Sequence, residues 1–242
     1  AVSHTTKRRE LALRIQKGEA TDQDIKGYAR LYWEEFHKRQ MIYHLHVSKS
    51  AGTYFCHCAR LPLSHCHTPT DRLPAELLTN CFLDGANIIS DGPRWGTRDP
   101  IFPQTLRPLH LRNCSAASLW YRIRSIEFAS NEHKLLDDGP CQQFWNLVIF
   151  RNPVNRLISH LAHLDKLPWH KEFRVEKMTP EVIGFLAPTI SDNFYTRMIV
   201  GQDVFSLPLG QITQEHGEQA KARIEQFDTL LLHDDTMVDA AL

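Results

Sequence analysis

The chain predicts an α/β domain of three layers, with a central, mostly parallel sheet and helices on both faces. Three stretches carry that expectation. Residues 41–55, MIYHLHVSKSAGTYF, pass from an apolar-rich run through a small-residue loop into the opening of a helix. Residues 144–150, FWNLVIF, are almost continuously apolar, as a parallel strand buried on both faces must be. Residues 119–129, LWYRIRSIEFA, alternate Leu119, Tyr121 and Ile123, then Ile126 and Phe128, the period of a half-buried strand.

Residues 7–39 are helix-rich. Thr21-Asp22-Gln23-Asp24 has the form of a capping box with Asp in place of Glu or Gln, and Ile25, Tyr28, Ala29, Tyr32, Trp33 and Phe36 fall on one stripe. Residues 1–40 are therefore expected to pack on the domain as a helical segment without chemistry of its own, leaving 41–242 as the functional domain. In the loop after the first strand, Gly52 permits close backbone approach, Thr53 can cap the helix, and Lys49 supplies a positive charge. Free backbone N–H groups at a helix start, with the helix dipole behind them, favour a bound phosphate or sulfate. The plain alternative is an ordinary strand-to-helix turn. Lys49 precedes Gly52, so this is not the G-x-x-x-x-G-K-S/T order of a Walker A loop.

Pro62 ends the helix after the loop, and residues 62–117 are rich in Pro, Gly, Asn and Asp, with short apolar runs such as Ala86–Ile89. Cys56, His57, Cys58, His65, Cys66 and His67 cluster there, but their spacing matches no common zinc site, and buried thiols with solvent-facing histidines account for them equally. Arg94, Arg98, Arg107, Arg112, Arg122 and Arg124 stand against the single acid Asp99 between residues 93 and 126. They read either as solvated arginines or as a groove for an anionic acceptor, since guanidinium forks match carboxylate and sulfate. The strand over 119–129 runs into Ser130-Asn131-Glu132-His133, at the carboxyl end where ligand-facing residues of open α/β sheets lie. FWNLVIF runs into Arg151-Asn152-Pro153, with Pro153 in a helix first turn and Val154, Leu157, Ile158 and Leu161 as its apolar stripe. Phe227–Leu232 reads as a last strand.

With 242 residues, 42% of them apolar and 23% charged, the chain can build one sizeable core. Zero formal net charge gives no global pull toward nucleic acid. No apolar run reaches membrane-spanning length. The chain starts at Ala1 and ends soon after its last strand, so it is expected to be an excerpt of a longer protein, truncated at its C-terminal side, with any anchor outside it. Six cysteines permit disulfides in an oxidising compartment, and Asn113-Cys114-Ser115 fits the N-glycosylation pattern.

His46-Val47-Ser48-Lys49-Ser50-Ala51-Gly52-Thr53 resembles the 5′-phosphosulfate loop of sulfotransferases that use 3′-phosphoadenosine-5′-phosphosulfate (PAPS), with Ser48 where many carbohydrate members carry Pro. Arg151-Asn152-Pro153, with Ser159 eight residues after the Arg, resembles the family's 3′-phosphate-binding element. Asn193 to Gly201 is similar to the Asn-x-x-Thr-Arg-x-x-x-Gly stretch of Golgi-type carbohydrate sulfotransferases, and 220–228 to their helix leading into a late strand. The resemblance spans about residues 41–232. It implies a P-loop NTPase-like α/β/α fold and a Golgi-lumenal type II membrane glycoprotein. It also implies transfer of a sulfuryl group from PAPS to a hydroxyl of an anionic or neutral glycan, without a metal.

On that resemblance Ser48, Lys49, Ser50, Ala51, Gly52, Thr53 and Tyr54 would hold the 5′ side of the nucleotide, Arg151 and Ser159 the 3′-phosphate, and Arg197 a further contact. In-line displacement needs a cation on the leaving side and a base on the acceptor side. Lys49 is the candidate cation. Glu132 is the preferred base and His133 the second choice, with Glu127, His65, His67 and His110 as outsiders. Two other classes stay open, a P-loop kinase or NTPase and a non-catalytic nucleotide- or glycan-binding relative. The kinase reading lacks the late Lys-Ser/Thr pair, and the third strand ends in Arg151 where an acidic Mg²⁺ ligand would be useful.

Overall fold

A computed structural model describes residues 4–47, 49–51, 55, 88–91, 113–123, 128–131, 134–166, 179–186 and 188–233. The chain divides into two compact units, Ala1–Gln40 and Met41–Leu242.

In the first unit α1 (His4–Gln16) and α2 (Asp22–Phe36) pack on one another. The turn between them closes at Gly18, whose φ of 71° lies in the left-handed region that favours glycine. The capping box is present: Thr21 Oγ1 accepts from the Asp24 N–H at 3.2 Å, and Asp24 Oδ2 accepts from the Thr21 N–H at 2.9 Å. The apolar stripe predicted for α2 is only partly the packing face. Leu31 and Glu35 are its buried residues, while Ile25 is exposed and Trp33 is 61% exposed. The helix pair buries Leu11, Leu31 and an Arg8–Glu35 ion pair at 3.1 Å. A hydrophobicity stripe could not reveal a charged pair that turns inward because its partner lies on the other helix.

The second unit is α/β. Its five-stranded sheet has the order β2-β3-β1-β4-β5, built from β1 (Met41–Leu45), β2 (Ile88–Asp91), β3 (Phe128–Asn131), β4 (Phe144–Arg151) and β5 (Thr229–His233). Every pairing is parallel, with Ile42 opposite both Phe128 and Trp145. The central strands carry the core: Tyr43, Leu45 and Val47 alternate into it, and Phe144 through Ile149 are buried on both faces. Tyr43 stacks on Phe144 with centroids 5.6 Å apart. At the edge, β5 leaves Leu230, Leu231 and Leu232 exposed.

The strand predicted over 119–129 is corrected. Residues Cys114–Ile123 form a helix, α3, and the strand is described over Phe128–Asn131. Asn113 Oδ1 accepts the Ala116 N–H at 2.9 Å and starts the helix. Its buried residues are Ala117 and Tyr121, four apart, whereas Leu119 and Ile123 face solvent. The alternating pattern was the chance overlap of this helical face with its exposed residues. A Cys114–Cys141 disulfide ties the start of α3 to the approach to β4.

After β4 come α4 (Pro153–Lys166), α5 (Pro180–Leu186), α6 (Pro188–Ser191), α7 (Phe194–Val200), α8 (Gln202–Phe205) and α9 (Gln214–Ile224). The stripe predicted for α4 is also corrected. Val154 and Ile158 are 62% and 60% exposed, and the buried face is Arg156, His160 and Leu164, spaced four apart. α7 is buried through Phe194, Arg197, Met198, Ile199 and Val200. It ends at Gly201, where φ is 91° and a Cβ would sit 3.3 Å from the Leu135 carbonyl. Thr213 and His216 cap α9, which leads into β5 as the late helix-then-strand pattern predicts.

Candidate functional site

The strand order locates a crevice. The chain leaves β1 toward the β2 edge and leaves β4 toward the β5 edge, yet β1 and β4 are neighbours. Their carboxyl ends therefore flank a topological switch point, where open α/β sheets bind ligands. The Lys49 loop and Arg151 emerge there.

The loop after β1 is tightly wound. His46 N–H bonds to the Asn131 carbonyl at 2.8 Å, Ser50 N–H to the Val47 carbonyl at 3.2 Å, and Phe55 N–H to the Ala51 carbonyl at 3.0 Å. Lys49 and Ala51 both adopt left-handed backbone, with φ of 65° and 60°. Such conformations cost an ordinary residue of order 1 kcal/mol or more and persist where the surroundings impose them. Left-handed residues inside a turn also help successive N–H groups converge into an anion cradle. Between them Ser50 is fully buried, and among the described residues its Oγ has no hydrogen-bond partner.

Arg151 ends β4, and its Nη1 donates to the Lys49 carbonyl at 3.3 Å, joining two loops 102 residues apart in sequence. The Tyr195 hydroxyl accepts the Arg151 backbone N–H at 3.1 Å and donates to the Arg151 carbonyl at 2.6 Å. Asn152 Oδ1 accepts the N–H groups of Val154 and Asn155 at 3.0 and 3.2 Å, so Asn152 caps α4 with Pro153 in its first turn. Ser159 is half-buried on α4, two turns in.

Buried bases surround the loop. His44 Nδ1 lies 3.1 Å from Ser130 Oγ, and its ring stacks on His46 with centroids 5.4 Å apart. Burial first, and the Lys49 charge second, push the His46 pKa down to about 3. His44 lies well below its usual range through burial and His46. His160 does so through burial, then Arg156, Lys49 and His163. Arg156 Nη1 lies 3.2 Å from His160 Nδ1, and since a guanidinium only donates, Nδ1 accepts and the imidazole proton resides on Nε2. The Arg156 guanidinium also sits 4.0 Å over the Phe194 ring. Burial lowers its pKa to about 10, leaving it a cation at neutral pH. Lys49, Arg151 and Arg156 thus bring positive charge to this end of the sheet, while the imidazoles between them are neutral.

Of the residues predicted for the site, Lys49, Ser50, Ala51 and Arg151 come together, and Ser159 follows on α4. Arg197 does not join them as an accessible contact. It is fully buried and donates to Asp192 Oδ2 at 2.6 Å and to the carbonyls of Asp192, Val204, Phe205, Leu207 and Pro208. With its donors spent on the protein, its part is structural. Burial alone would raise the Asp192 pKa, but hydrogen bonds from Arg197, Asn193 and the Gly210 N–H outweigh it and hold the carboxyl below its usual value. Ser48, Gly52, Thr53, Tyr54, Glu132 and His133 lie outside the described residues, as do Glu127, His65, His67, His110 and the Cys56 to His67 cluster. Among the described residues no three His, Cys, Asp or Glu side chains gather as a metal site.

Sequence reasoning assigned no role to Tyr195, Arg156, His160, His44 or His46. Tyr195 sits within the Asn193 to Gly201 stretch, which was the available signal. Comparison with family models, curated proteins and solved structures returns no match for this chain.

Proposed function

We propose that this chain is a P-loop NTPase-like, PAPS-dependent sulfotransferase acting on a hydroxyl acceptor, a glycan being the acceptor class its sequence resemblance favours. The observation that carries the reading is the hydrogen bond from Arg151 to the Lys49 carbonyl. It unites the two elements that resemble the 5′ and 3′ phosphate sites at the switch point of the sheet. The buried Ser50 hydroxyl and the left-handed residues beside it suit an anion, as do the cations around them.

PAPS would supply the sulfuryl group. Lys49 and the N–H groups of the loop would neutralise charge on the 5′ side, and Arg151 with Ser159 would select the 3′-phosphate. Glu132, or His133 in its place, would take the acceptor hydroxyl proton. A Golgi-lumenal setting, anchored through a segment outside this chain, is part of the proposal. The Cys114–Cys141 disulfide supports an oxidising compartment.

Calorimetric titration of 3′-phosphoadenosine-5′-phosphate against ADP tests this directly. Preference for the 3′-phosphorylated nucleotide, lost in Arg151→Ala, and weak binding of both by Lys49→Ala are the expected results. Equal affinity in the wild type, or a Mg²⁺-dependent preference for ADP, would replace this reading with a kinase or NTPase.

A further inference from the structure

We infer that Tyr195 is the positioning residue that aims Arg151, holding its main chain so that the guanidinium reaches both the Lys49 loop and a ligand phosphate. This rests on the function proposed above. The ladder between β1 and β4 runs only as far as Leu45 opposite Val148, so Arg151 lies beyond the last β1 partner. There the Tyr195 hydroxyl engages both the N–H and the carbonyl of this one residue. The Tyr195 ring is itself fixed edge-on against Phe150, centroids 5.1 Å apart. Its neighbours on α7 are anchored separately: Phe194 lies under the Arg156 guanidinium, and Arg197 is tied to the carbonyls of Val204, Phe205, Leu207 and Pro208. The clasp therefore acts from a rigid base. A guanidinium recognises phosphate through a fixed fork, so its value depends on the angle at which its backbone presents it. The Asn193 to Gly201 stretch thus serves the nucleotide through Arg151, and Tyr195 is the residue that transmits it.

Tyr195→Phe tests the inference, because the ring and its packing remain while the hydroxyl is lost. Two readouts are taken on the whole chain. Amide hydrogen exchange at Arg151 is expected to speed up about tenfold in Tyr195→Phe, with the remainder of β4 unchanged. The ratio of affinities for 3′-phosphoadenosine-5′-phosphate over ADP is expected to fall about tenfold, chiefly through the 3′-phosphorylated nucleotide. Loss of affinity for both nucleotides alike would mark Tyr195 as merely structural and overturn the inference. An unchanged ratio, or unchanged exchange at Arg151, would overturn it too. A wild type with no preference for the 3′-phosphate would instead strike the proposed function, and the inference with it, whatever the exchange result.

Discussion

Replacing Arg197 with Met leaves the volume of the aliphatic stem and removes the guanidinium, which is the perturbation that separates a structural hub from a nucleotide contact. The group is completely buried, is paired with Asp192 at 2.6 Å, and serves five carbonyls besides. Removing one partner of a buried ion pair costs roughly 3–5 kcal/mol, because the other charge and its hydrogen-bonding groups lose their compensation. The loss here falls in that range, since among the described residues Asp192 keeps only Asn193 and the Gly210 N–H, and the carbonyls of Val204, Phe205, Leu207 and Pro208 lose their shared donor. For a chain of this size that corresponds to a melting point lower by roughly 10 °C. Urea denaturation of wild type, Arg197→Met, Asp192→Asn and the double variant measures it. Asp192→Asn alone is expected to cost about 1–2 kcal/mol, as Arg197 retains its carbonyl acceptors. The double variant should cost less than the two singles together. Stability of Arg197→Met within about 1 kcal/mol of wild type, combined with lost nucleotide binding, would refute this reasoning and return Arg197 to direct contact.

Acid should weaken the second unit through its buried imidazoles. Their folded pKa values lie below the ordinary 6.5, so above that pH they are neutral in both states and contribute no slope. Below it the unfolded chain binds protons that the folded one refuses, and stability falls by about 1.4 kcal/mol per pH unit for each imidazole. For His46 the loss continues down to about pH 3. Denaturation midpoints at pH 7 and pH 5 check this, with His46→Asn expected to show a shallower decline and equal wild-type midpoints counting against it. The Cys114–Cys141 bridge closes a separation of 27 residues, so the Cys114→Ser/Cys141→Ser variant should lose roughly 3–4 kcal/mol in the same denaturation. A variant as stable as wild type would show that the unfolded chain gains little freedom when the link is cut.

Much of the architecture was legible in residue patterns because it is set by local rules. The Thr21 to Asp24 box declares itself within four residues, FWNLVIF has the near-continuous apolar run expected of a strand buried on both faces, and the loops at Lys49 and Arg151 each follow a buried strand. What pattern alone misjudged depends on partners remote in sequence. Residues 119–123 alternate like a strand, but the Asn113 cap and the burial of Ala117 and Tyr121 make them helical. The buried face of α4 is Arg156 and His160 because Phe194 and Ile190 receive the guanidinium, whereas the apolar Val154 and Ile158 stay outside. Arg197 carries the same charge as Arg151 and sits in an equally suggestive motif. Only the three-dimensional path of 204–208 shows that its donors are spent on the protein. By itself, then, the sequence determined the two central strands β1 and β4, the capped start of α2 and the two loops that leave those adjacent strands, since neighbours along the chain set propensity, capping and periodicity. The tertiary structure alone decided which cations face the crevice and which are locked inside, because hydrogen-bond satisfaction is a property of residues brought together from distant parts of the chain.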